Sequence, residues 1–139
     1  MKLLPGLAAA VVVCACVSTN AALIDPTVHL ARTCPSAIKL YTTPDRVGQP
    51  YREVAILNAK GESNWSNEED MIESMRDKAA EVGANGIILK GIDEPSALTK
   101  VIGQVAQTGS QRKGNALAIY VPSDSTSTAT VCAAVAKRS

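Results

Sequence analysis

The chain has 139 residues and a formal net charge of +1. Once an export signal is set aside, that length allows one core-forming domain, and that charge excludes a global field drawing the protein to nucleic acid or an acidic surface. Hydrophobic residues make up 46% but aromatics only 3%, with no Phe, so a core must be built from Val, Ile, Leu, Ala and Met. No second long apolar run follows the amino terminus, which excludes a polytopic bundle of spanning helices.

At the amino terminus Lys2 supplies a minimal positive region, and Leu3 to Val13 is apolar, interrupted by Pro5 and Gly6. The run is too short for an ordinary spanning helix and reads as a secretory signal. Two endings compete. Val13-Cys14-Ala15-Cys16 resembles a bacterial lipobox: a branched apolar residue, a variable one, a small one, then Cys. The resemblance implies that Cys16 is the lipidated first residue of the mature chain. Cys14 fits less well, because bulky Val13 precedes it. Val17 stands where an inner-membrane retention Asp would sit, which implies the outer membrane, facing the periplasm. The other ending is ordinary cleavage after Ala21 or one residue later, with both cysteines incidental. A retained signal anchor is a third outcome. The expected organisation is a signal over 1–16, a tether over 17–36, a domain over 37–122 and a Ser/Thr-rich tail over 123–139.

Cys34 and Cys132 remain, an even pair in the oxidising compartment that export implies. A bond between them closes a loop of about 100 residues, worth on the order of 4–5 kcal/mol in the loop-entropy description. Two separate thiols are the alternative. Two distant cysteines and one histidine lack metal-ligand spacing, so no metal is expected.

Ile38-Lys39-Leu40-Tyr41 alternates and predicts a half-buried strand. Thr43-Pro44-Asp45 and Gly48-Gln49-Pro50 punctuate the loop after it. Val54-Ala55-Ile56-Leu57 is a short apolar run suited to a central strand, which Asn58 to Gly61 is expected to break. A helix is predicted from about Asn67 to Val82, with Ser66 as N-cap, Glu69 completing a capping box and Gly83 ending it. Its apolar stripe is Met71, Ile72, Met75, Ala79 and Val82. Gly86 to Lys90 is a further strand, making a strand–helix–strand unit, and Ala116 to Val121 a last one. Between them, Leu98, Val101, Ile102 and Val105 have helical spacing, yet Gly103 interrupts it; an extended arm is the preferred description of 94–110. Gly109 to Asn115 is expected to be a polar turn. The fold class expected is α+β or α/β: about four strands and one main helix.

Met75 to Leu89, with its Gly83-Ala84-Asn85-Gly86 turn, resembles the helix-to-strand passage of small bacterial envelope domains. Relatives by that resemblance are a family of small heavy-metal-binding domains and the stress-sensing outer-membrane lipoprotein of the Rcs phosphorelay. The likeness is close over 75–89 and loose over 38–121. It implies an envelope lipoprotein domain; metal binding is not carried over, because no cluster of His, Cys or carboxylates occupies the matching segment.

Few residues suggest chemistry, and no catalytic or cofactor-binding residue is assigned. His29 lies in the expected tether. Glu68-Glu69-Asp70 suits the positive end of a helix dipole better than a cation. Asp93-Glu94 reads as a turn. Gln111-Arg112-Lys113-Gly114 reads as a solvated hairpin tip, with contact to phosphate or lipid headgroups as the alternative. Trp65 reads as a cover over the helix start, or else a partner-binding aromatic. No Walker A loop or dinucleotide fingerprint occurs. The expectation is a non-enzymatic, exported, lipid-anchored binding, sensing or assembly module with an envelope protein partner and no nucleic acid. The alternative is a small ligand- or metal-binding domain in the periplasm.

Overall fold

The computed structural model describes residues 17–62, 66–93 and 111–139. Within them lie β1 (Val17–Leu23), β2 (Lys39–Tyr41), β3 (Arg52–Glu62), α1 (Glu68–Glu81), β4 (Gly86–Asp93), β5 (Gln111–Tyr120) and α2 (Ser125–Ala136), with 3-10 turns at Pro35–Ala37, Pro44–Val47 and Pro122–Asp124. The strands form one sheet in the order β1-β3-β5-β4-β2. Neighbours are antiparallel except β2 and β4, which are parallel. The fold is α+β with one main helix, as expected. The strand–helix–strand unit is split, because β5 inserts between β3 and β4.

Small side chains let α1 approach the sheet closely. The floor beneath it includes Ala55, Leu57, Ala59, Ala116 and Ala118, all buried, so Leu57 is the one long side chain of that set. Met71 and Met75 are fully buried and fill the space the alanines leave. At Gly114 the approach is closest: a Cβ there would come within 2.6 Å of Met75 Cε. An unbranched thioether conforms to such irregular gaps, which a Phe ring would not. The expected stripe is thus largely buried, with Ile72 and Val82 only half-buried and Ala80 added.

The ends of α1 follow local chemistry. Asn67, not Ser66, is the N-cap: Asn67 Oδ1 accepts the Asp70 N–H and Asp70 Oδ2 accepts the Asn67 N–H, both at 2.9 Å. Ser66 is drawn inward, where its hydroxyl donates to the Glu62 carbonyl at 2.6 Å. At the other end Gly83 has φ +80, and a Cβ there would collide with Leu30 Cβ and lie 2.7 Å from the Ala31 carbonyl. Glycine is required twice, by conformation and by the passage of the 24–33 strap across it. That strap is pinned by Thr33, whose N–H donates to Ala80 and whose hydroxyl donates to Ala84.

Four stretches correct the sequence expectation. The tether expected over 17–36 contains β1, paired along its full length from Val17–Gly61 to Leu23–Ala55. Its inward residues Val17 and Ala21 pack on the core, and Thr19 hydrogen-bonds Ser74 of α1. The expected break at 58–61 is absent: β3 runs through to Glu62 because Ala55, Leu57, Ala59 and Gly61 alternate inward. The polar turn expected up to Asn115 is strand from Gln111 onward. The tail expected over 123–139 contains α2, held by a disulfide. The arm at 94–110, Trp65, and everything through Cys16 lie outside the described residues.

Candidate functional site

The sheet has a second face, opposite α1, and it is covered unevenly. Over β2, β4 and the start of β4–β5 pairing, Val47, Tyr41 and Tyr51 pack on Ile88, Leu117, Ile119 and Val121. Over β1, β3 and the first half of β5 the outward side chains are exposed. Register sets them in rows. Ser18, Lys60 and Lys113 lie abreast, then Asn20, Asn58 and Asn115, then Ala22, Ile56 and Leu117. Cross-strand neighbours on one face sit about 5 Å apart. The asparagine row therefore presents three amides side by side, none hydrogen-bonded among the described residues. Ile56 is 49% exposed at the row beside it. Lys60 and Lys113 face each other as like charges, a pairing that costs stability unless something anionic offsets it.

The residues singled out in the sequence are dispersed. His29 is exposed on the strap. Asp70 is engaged in the capping box, which accounts structurally for part of the Glu68-Glu69-Asp70 run. Asp93 ends β4 in register with Lys113, and Glu94 lies outside the described residues. Gln111, Arg112, Lys113 and Gly114 are strand residues of β5, not a hairpin tip. Among the described residues no three of His, Cys, Asp and Glu converge to hold a metal ion, and no helix is long and apolar enough to cross a membrane.

Cys34 and Cys132 are brought together as expected, bonded with their Cα atoms 5.5 Å apart. The bond fixes α2 to the turn that precedes β2, fitting an oxidising, exported setting. A shallow cleft lies beside it, lined by Leu30, Thr33, Tyr120, Thr128 and Cys132 among others. Asp124, at the start of α2, pairs with Lys39 at 2.8 Å. This contact lifts the Lys39 pKa above its ordinary value, chiefly through the hydrogen bond. Asp25 is held below the usual carboxylate range by hydrogen bonds from the Thr27 hydroxyl and N–H.

The exposed rows were missed in the sequence because their signal is weak. Ser18, Asn20 and Ala22 alternate with Val17, Thr19 and Ala21, but small side chains on both faces hide a period of two. Asn58, Lys60 and Lys113 looked like turn residues by type.

The chain matches no family model and none of the curated proteins. It is similar in structure to a Francisella virulence factor, FvfA, with a TM-score of 0.51 and 16% identity over 73% of this chain and 96% of that one. The likeness is one of fold.

Proposed function

We propose that the chain is a non-enzymatic envelope module, exported and anchored by lipid on Cys16, that binds a partner through the open sheet face. The observation that carries the anchor is β1. Cleavage before Cys16 leaves this strand whole. Cleavage after Ala21 would remove Val17 to Ala21, and with them the pairs to Gly61, Lys60, Ala59, Asn58 and Leu57. It would also strip Val17 and Ala21 from the core. A processing site that cuts a sheet strand after folding information has been written into it is a poor design, so the lipobox ending is preferred. The outer membrane is the destination the Val17 position favours.

The binding role draws on the amide row and on Lys60, which stands across from Lys113; both suit a polar partner carrying negative charge. Mass spectrometry of the mature amino terminus tests the anchor: an unmodified start at Ala21, Ala22 or Leu23 rejects it. Complementation of a deletion strain tests the face. Asn58→Arg should fail, whereas His29→Ala and Asp93→Asn should complement. Loss of complementation by His29→Ala or Asp93→Asn alone, at normal protein level, overturns the non-enzyme reading.

A further inference from the structure

The geometry points to a membrane-contact surface along the β1 edge, which we propose lies against the lipid bilayer so that the sheet stands on its side. The inference rests on the Cys16 anchor. Consecutive Cα atoms are about 3.8 Å apart, so a lipidated Cys16 is within that reach of Val17, which is already paired with Gly61. No slack separates anchor from domain. Acyl chains enter the hydrocarbon, so the residue bearing them stays at headgroup level. Val17 must therefore stay there too.

One attachment point leaves tilt open, and a second observation decides it. Among the described strands β1 forms one edge of the sheet, and it carries no charge over Val17–Leu23. Edge strands in water are usually guarded by charge, proline or a covering element, because their unpaired backbone invites association. At its far end Leu23 is 40% and Ile24 45% exposed. Ile24 is no loose end: its N–H donates to the Val54 carbonyl at 3.0 Å. Seven residues of strand span about 20–24 Å. Lipid at one end and an apolar cluster at the other thus give two contacts on one uncharged line. Headgroups and their water can satisfy the outward backbone groups of β1. Two weak membrane signals in series give an attachment that one does not. Charges flank the line on both signs: Lys60 and Arg52 on β3, and Asp25 after Ile24. The open face, perpendicular to that edge, is left facing the periplasm.

The test uses the full lipidated protein in vesicles of phosphatidylethanolamine and phosphatidylglycerol whose acyl chains carry bromine quenchers. Trp65→Phe removes the natural fluorophore. Ile24→Trp or, as a second choice, Leu23→Trp then reports the β1 edge, and Val131→Trp reports α2. Retention of the Cys34–Cys132 bond in peptide maps certifies that each variant folds. The expected result is a blue shift and loss of fluorescence for Ile24→Trp and Leu23→Trp, with Val131→Trp unchanged. Equal quenching at both sites, or none at the β1 edge in protein that floats with the vesicles, overturns the proposal. Dimeric sedimentation in detergent with an unquenched edge would instead assign β1 to a second copy, and also overturns it. Protein that does not float and has an unmodified amino terminus defeats the anchor itself, a failure distinct from the others.

Discussion

Asn85 carries more structure than its type suggests. It is buried, its Nδ2 donates to the Val121 carbonyl at 2.9 Å, and its Oδ1 accepts the Val121 N–H at 2.7 Å. Its own N–H donates to the Ile119 carbonyl, and its carbonyl accepts from Lys39. A side-chain amide thus extends the β4–β5 ladder one step beyond Gly86–Ile119 and ties in β2. Asn85→Ala strands two buried backbone groups and should lower stability by about 2–4 kcal/mol in denaturant melts. Asn85→Asp keeps the acceptor but turns an oxygen toward the Val121 carbonyl. Burial raises a carboxyl pKa, so this variant should gain stability relative to the parent as pH falls from 7 to 4. A pH series of melts checks the direction. The helix-to-strand turn was legible in the sequence through Gly83, but only as a conformational requirement. That Leu30 and Ala31 pass over it, and that Asn85 spans two strands, depends on partners about 35–55 residues away in sequence, beyond any local period.

Among the elements, α2 shows why composition misleads. Its first half is Ser and Thr, poor helix formers whose hydroxyls bond back to the preceding turn, as Thr128 does to Asp124 and Thr130 to Thr126. Only Thr128 of the helix is buried. Propensity and burial are both weak, so the Cys132 bond supplies much of what keeps it in place. Cys34→Ser with Cys132→Ser should lower stability by about 4–5 kcal/mol in the loop-entropy description. Hydrogen exchange should become fast over 125–136 while α1 keeps its protection. β1 misled for the opposite reason: its pattern is regular, but Thr19, Ala21 and Ala22 carry little hydrophobic contrast, and the apolar run expected to be an export signal leads straight into it. By contrast α1 was legible almost to its bounds, since 3.6-residue spacing, acidic first turn and terminal glycine all agree. The open face makes its own demand at this scale. Lys60→Glu replaces a like pair with an opposite one across from Lys113 and should stabilise by about 0.2–1 kcal/mol. If the Lys pair serves an anionic partner, the same variant should lose complementation, so melts and phenotype move in opposite directions.

At the scale of the molecule, the class and the helix-on-sheet arrangement were legible, while the strand order was not. β5 enters between β3 and β4 because both its neighbours need partners and its residues from Gly114 to Ala118 alternate small toward α1. That order is set by the global closing of the sheet, not by any window of sequence. Charge plays a modest part in stability. Asp25 and Glu81 are held below their ordinary values, Glu81 mainly by the Lys78 hydrogen bond, so their contributions are present above the unfolded carboxylate range and fade as pH falls through the folded values. Lys39 is raised, so its contribution is full below its ordinary value and fades as pH climbs past it. Thermal midpoints should therefore be flat from about pH 5 to 9 and decline outside.

The methionine pair under α1 has a further consequence in the chemistry of damage. Beyond Met1, the chain's methionines are Met71 and Met75, and both are sealed from solvent. A compartment that oxidises thiols also exposes proteins to oxidants that add oxygen to thioethers, and a sulfoxide is too polar and too wide for the alanine floor. The native fold should resist peroxide, and a chain oxidised while open should be unable to close again. Peptide masses after peroxide, taken with and without urea, should show oxygen added at both residues only in the denatured sample. Oxygen uptake at Met71 and Met75 would then record each opening of the domain as a permanent mark, turning the core into a ledger of past unfolding.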